Sequence, residues 1–118
     1  MAAALTLGLT AACVPAARGP VAPAVSAGVR SVSLDGQALS VSVAPGPQGT
    51  ALTHAGAVAV AGRQIAVTRV GAPLAQDEGA IAKRAAKEGC QAQGGRFNGA
   101  ALGRYAGQGV WAFPGGCA

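Results

Sequence analysis

The segment from Ser31 to Val43 constrains the fold more than any other part of the chain. Val32 and Leu34 alternate with Ser31 and Ser33, Asp35-Gly36 follows, and Leu39, Val41 and Val43 then alternate with Ser40 and Ser42. Side chains on a strand alternate between faces, and Asp-Gly suits the left-handed conformations of a two-residue hairpin turn. A two-residue connection sets Val32 opposite Leu39 and Ser31 opposite Ser40. All apolar residues then share one face and all serines the other, so a slip by one residue would expose the whole apolar set. The sequence therefore predicts an antiparallel hairpin with one buried face.

Further along, residues 44–56 read as a loop, because Pro, Gly and small polar residues dominate them. A second alternating run begins at Val58. A tight turn at Gly62-Arg63 would set Val60 against Ile65 and Val58 against Val67, with the strand running to Val70 before Pro73. Residues 75–89 form the one good helix candidate. Asp77 and Glu78 suit its positive end, Lys83, Arg84 and Lys87 its negative end, and Arg84 can pair with Glu88 four residues on. Ala82, Ala86 and Cys90 share one small-sided face, with Ile81 and Ala85 beside it. After Gly94-Gly95, residues 96–113 read as one or two short strands. Val110–Phe113 is the clearest, closed by Pro114-Gly115-Gly116. The expected class is α+β: a small antiparallel sheet of two hairpins plus a C-terminal strand or hairpin, with one helix packed on a face.

The chain has 118 residues, enough for one compact domain. Hydrophobic residues make up 51%, but alanine supplies much of that. Aromatics are 3%, all from Phe97 onward: Phe97, Tyr105, Trp111 and Phe113. Apolar burial contributes roughly 25 cal/mol per Å². A core of alanine and valine is therefore thin for its length, and a covalent staple would supplement it.

Residues 1–12, MAAALTLGLTAA, carry no charge and are too few to span a bilayer as a helix. They fit the apolar region of a secretory signal. Ala11-Ala12-Cys13 follows, with Thr10 where Leu is usual. This segment resembles the lipobox of bacterial lipoproteins. The resemblance covers about 13 residues and says nothing about the domain beyond them. It implies cleavage before Cys13, diacylglyceryl attachment to its sulfur and N-acylation with chains such as palmitate. Several acyl chains give stable anchoring. With Val14 rather than Asp after the cysteine, the resemblance implies the outer membrane, facing the periplasm. The same Thr10-Ala11-Ala12 also suits an ordinary small-x-small cleavage site, which would release a soluble periplasmic protein, and the remaining alternative is a buried strand or helix of a cytosolic protein. Residues 13–28, with Pro15, Pro20 and Pro23, read as a Pro/Ala-rich tether, and residues 29–118 as the single α+β domain.

Three cysteines are an odd number for an exported protein. With lipid on Cys13, Cys90 and Cys117 remain as a pair suited to an oxidising compartment. A disulfide closing a loop of about 27 residues would contribute roughly 3–4 kcal/mol. The alternative is two buried thiols.

Little else signals chemistry. His54, the single histidine, lies in a loop, with no nucleophile or orienting group at a suggestive spacing. Asp35 is explained by a turn, and Asp77-Glu78 by a helix start. Gly103-x-x-x-Gly107-x-Gly109 lacks the strand–loop–helix setting and the Lys-Ser/Thr of a nucleotide loop. Arg96, Phe97, Arg104 and Tyr105 interleave basic and aromatic residues, too few for a nucleic-acid surface. No catalytic residue, metal site or cofactor is expected. The net charge of +5 is dispersed. It suits ordinary solubility, or attraction to an anionic surface such as lipid headgroups or a cell-wall polymer. The leading expectation is a non-enzymatic binding or structural module of the envelope, with an envelope protein or cell-wall component as partner. The alternatives are a periplasmic inhibitor of a hydrolase, inserting residues 44–56 into its target, and a soluble periplasmic protein or small enzyme using His54 or Cys90.

Overall fold

The computed structural model describes residues 28–118. The expected signal segment, the expected lipidation site Cys13 and the expected tether as far as residue 27 lie outside the described residues.

Strands β1 (Gly28–Leu34) and β2 (Gln37–Ala44) form the hairpin that the alternation predicts. Val32 stands opposite Leu39 and Ser31 opposite Ser40. Asp35 and Gly36 have φ of 52° and 77°, the left-handed pair that a tight hairpin turn demands. Leu39, Val41 and Val43 are fully buried, whereas Ser31 and Ser33 are exposed.

The next segment differs from expectation. Residues 44–56 are not all loop: β3 (Gly49–Thr53) pairs with β4 (Gly56–Val60) in a small separate hairpin. Its turn is built by a side chain. The Thr53 hydroxyl accepts from the Ala55 N–H at 3.1 Å and donates to the Gly56 carbonyl at 3.0 Å. Strand β5 (Arg63–Arg69) therefore does not pair with Val58 and Val60. It pairs with β2, setting Ile65 against Val43 and Val67 against Val41. All four side chains are fully buried as a result. Complete burial of such a side chain is worth about 1.5–3 kcal/mol. That gain outweighs the convenience of a short connection.

Helix α1 spans Gly79–Ala92, starting later and ending later than the sequence predicts. The start is delayed because Glu78 is committed elsewhere. Its carboxylate folds back to accept from the Ala75 N–H at 2.8 Å, and its N–H donates to the Ala75 carbonyl at 3.1 Å. Ala82, Ala85, Ala86, Gly89 and Cys90 face the sheet. A Cβ on Gly89 would lie 2.3 Å from Cγ1 of Val41. Glycine inside a helix costs about 1 kcal/mol relative to alanine, and here it allows the helix to approach β2 closely. Arg84 pairs not with Glu88 but with Asp35 of the first turn, at 2.9 Å.

Strands β6 (Arg104–Gly107) and β7 (Val110–Cys117) complete an antiparallel sheet of order β1-β2-β5-β7-β6. The molecule is α+β, with the helix on one face. Pro114-Gly115-Gly116 does not end the last strand as expected. Ile65 pairs with Phe113 but Arg63 pairs with Cys117, so β7 carries two extra residues there and bulges. Gly115 takes φ of 71° within this bulge. Pairing then resumes, and Cys117 also bridges to Phe97.

The Arg69–Glu78 pair ties β5 to the start of α1, with a closest N–O distance of 2.7 Å. The hydrogen bond from Arg69, helped by that from Ala75, holds the Glu78 carboxyl below its ordinary value of 4.5. A carboxyl depressed on folding stabilises the fold above its unfolded pKa, and that contribution is lost as pH falls through the folded value. Glu78→Gln is therefore expected to melt lower than the parent at pH 7, with the difference closing well below pH 4.5. Thermal melts of both proteins across that range check this; a constant difference down to pH 2 would contradict it.

Candidate functional site

Cys90 at the end of α1 and Cys117 at the end of β7 form a disulfide, with Cα atoms 5.7 Å apart. Both are fully buried. Gly95 passes so close that a Cβ there would lie 2.4 Å from the Cys117 sulfur. The bond holds the helix, the crossing segment after it and the last strand together.

The aromatic residues divide between support and surface. The Tyr105 hydroxyl donates to the Leu74 carbonyl and accepts from the Gly109 N–H, each at 2.9 Å. Trp111 Nε1 donates to the Ala75 carbonyl at 3.0 Å. The two rings meet edge to face at 5.9 Å, and Trp111 stacks on Phe113 at 6.4 Å. These side chains pin the turn before α1 to the β6–β7 edge of the sheet. Phe97 is different. It packs half-buried against the core and also lines a shallow concavity.

That concavity, about 520 Å³, is lined by Ala80, Lys83, Arg84, Lys87, Phe97 and Gly99. Its chemistry follows from helix geometry. Residues 80, 83, 84 and 87 recur at the three- and four-residue spacings of one helical face, opposite the buried alanines. Gly94, with φ of 81°, turns the chain back so that Phe97 lies alongside this face. Arg84 is engaged with Asp35, but Lys83 and Lys87 have no carboxylate partner among the described residues. Like charges four residues apart on a helix repel by about 0.2–0.5 kcal/mol. An anion seated between them would convert that repulsion into attraction, with the Phe97 ring as an apolar floor. The Lys83–Lys87 spacing is visible in the sequence, but Phe97 joins it only through the turn at Gly94.

The other sequence candidates do not converge. His54 is exposed at the tip of the β3–β4 hairpin, whose turn is made by Thr53. Asp35 and Glu78 are each paired with an arginine. Arg96 lies by Phe97, whereas Arg104 borders a separate groove of about 440 Å³ with Pro47, Gln48, Thr50, Leu102 and Pro114. Gly103 packs against the Phe113 ring, and Gln108-Gly109, with φ of 56° and 78°, forms the β6–β7 turn. Among the described residues no three His, Cys, Asp or Glu side chains group as metal ligands would. Comparison with protein-family models, curated proteins and solved structures returned no match for this chain.

Proposed function

We propose that the protein is a small, non-enzymatic binding module of the bacterial cell envelope. It is held through acyl chains on Cys13 to the outer membrane, facing the periplasm. Its Lys83–Lys87–Phe97 concavity takes a phosphate-bearing envelope component. The observation that carries the reading is a pair of lysines on one helical turn, without a carboxylate partner among the described residues, beside a half-buried aromatic ring. The lipobox-like Ala11-Ala12-Cys13 and the Cys90–Cys117 disulfide support an exported protein, since disulfides persist in oxidising compartments.

Two measurements test the two halves of this reading. Peptide mass spectrometry of unreduced protein from a membrane fraction is expected to find an acylated N-terminal peptide at Cys13; a chain retaining unmodified residues 1–12 would overturn the anchor. Co-sedimentation with phosphatidylglycerol-containing vesicles tests the concavity on a chain carrying Cys13→Ser. Lysines near an anionic surface contribute about 1 kcal/mol each, so Lys83→Ala/Lys87→Ala is expected to weaken binding about 30-fold. Inorganic phosphate at millimolar concentration competes if the phosphate alone is recognised, and leaves binding unchanged if the lipid is required. Equal binding by parent and variant, or equal binding to neutral vesicles, would remove the concavity as the site.

A further inference from the structure

Among the described residues, the β3–β4 hairpin carries an open edge. Leu52 N–H donates to the Ala100 carbonyl at 3.2 Å, and Leu102 N–H donates to the Thr50 carbonyl at 2.8 Å. Residues 50 and 52 therefore turn their backbone groups away from β4, toward the segment around Ala101. Hydrogen-bonded and non-bonded pairs alternate along an antiparallel ladder. The bonded pairs between the two strands are then 49–60, 51–58 and 53–56, from the observed register. It follows that the N–H and C=O groups of Ala57 and Ala59 point to the far side of β4, where no described strand pairs with them.

This edge lacks the usual protection. Gly56, Ala57, Val58 and Ala59 are all exposed. No proline, lysine or bulge interrupts the strand, the devices by which natural sheets block further pairing. From Gly36 to Gly62 the sequence contains no Asp, Glu, Lys or Arg. Leu52, opposite Ala57 on β3, continues the exposed, uncharged surface beside the edge.

We propose that two copies of the domain associate through β4, antiparallel about a two-fold axis at Val58. Ala57 of one copy then exchanges both backbone hydrogen bonds with Ala59 of the other, and the reverse. The two hairpins merge into one continuous small sheet. Two features favour a second copy over another extended partner. Each chain carries net charge +5, so copies meet with least repulsion where charge is absent, and β4 lies in that stretch. Recognition of a foreign strand uses pockets for its alternating side chains, and neither the Lys83–Phe97 concavity nor the groove beside Arg104 includes a β4 residue. The edge is five residues long, so the dimer is weak, with a dissociation constant on the order of micromolar or above.

The test uses the full chain carrying Cys13→Ser, which removes both acylation and an intermolecular disulfide through that residue. Sedimentation velocity from 10 µM to 1 mM is expected to show a monomer–dimer equilibrium, with amide exchange at Ala57 and Ala59 slowing as concentration rises. Ala59→Pro removes an outward N–H that the hairpin itself does not use, and Ala59→Lys places charge on the same edge. Each is expected to weaken dimerisation at least tenfold while the Ala51 and Val58 amides stay protected. A monomer throughout the range would overturn the proposal. So would a dimer whose Ala57 and Ala59 exchange is independent of concentration, or one unaffected by Ala59→Lys with the fold intact.

Discussion

Replacing Cys90 and Cys117 together by alanine is expected to destabilise the domain by about 3–4 kcal/mol. For a domain of this size that lowers the melting temperature by about 15–25 °C. The disulfide spans 27 residues, and freeing a loop of that length adds conformational entropy to the unfolded chain. The location magnifies the consequence. Helix α1 faces the sheet with Ala82, Ala85, Ala86 and Gly89, side chains that release little apolar area when they pack. The strong hydrophobic contribution comes from β2, β5 and Phe113, while the helix end is held largely by Cys90. Thermal melts followed by circular dichroism check the prediction. Reductant should lower the parent's melting temperature to near that of the double variant and leave the variant unmoved. A fall below about 5 °C in both would mean that alanine packing alone secures the helix.

The parts of the fold that sequence reasoning reached are those in which local and long-range signals agree. Asp35-Gly36 permits one turn, and the flanking alternation selects the same register, so the pairing of Val32 with Leu39 follows from the residues alone. The β3–β4 hairpin shows the opposite case. Its turn depends on the Thr53 hydroxyl rather than on an Asn-Gly or Asp-Gly pair. Its second strand, Gly56–Val60, is nearly all small apolar residues with every position exposed or half-exposed, so alternation carries no directional information there. The partner of β5 was equally hidden, because Ile65 and Val67 reach burial across the sheet on β2 rather than beside the strand that precedes them. Delayed onset of α1 had a similar origin: Glu78 satisfies Arg69 and Ala75, contacts between segments that sequence spacing does not reveal. Of the site, Lys83 and Lys87 are legible as one helical face. Phe97 reaches them only through the turn at Gly94, and the pairing of Cys90 with Cys117 follows from the cysteine count once the lipobox resemblance sets Cys13 aside.

Gly49→Ala is expected to cost about 2–3 kcal/mol, far more than an alanine at a strand end usually does. The reason is the seam between the β3–β4 hairpin and the bulge of β7. A Cβ on Gly49 would stand 1.7 Å from the Pro114 carbonyl oxygen and 2.5 Å from its carbon, both backbone atoms. Flexible side chains can yield to such an intrusion, but this carbonyl is fixed between Phe113, buried under the helix, and Cys117, held by the disulfide. On the other side of the seam there is no room either: a Cβ on Gly62 would lie 2.6 Å from the Gly115 carbonyl, and a Cβ on Gly115 would lie 2.4 Å from the Val60 carbonyl. The hairpin must therefore move away, with the strain of overpacking setting the scale. Most of the loss should fall on the hairpin, because β2 and β5 make none of these contacts. Denaturant unfolding gives the total, and amide exchange gives its distribution. Protection should fall at Leu52 and Leu102, which bridge β3 to the segment around Ala101, while Val41 and Val67 keep theirs. Thr50→Ala, one residue on and exposed, should change stability by less than about 0.5 kcal/mol. If Gly49→Ala proves equally mild, the hairpin is not seated on β7 through this carbonyl, and the placement of the β4 edge must depend on other contacts.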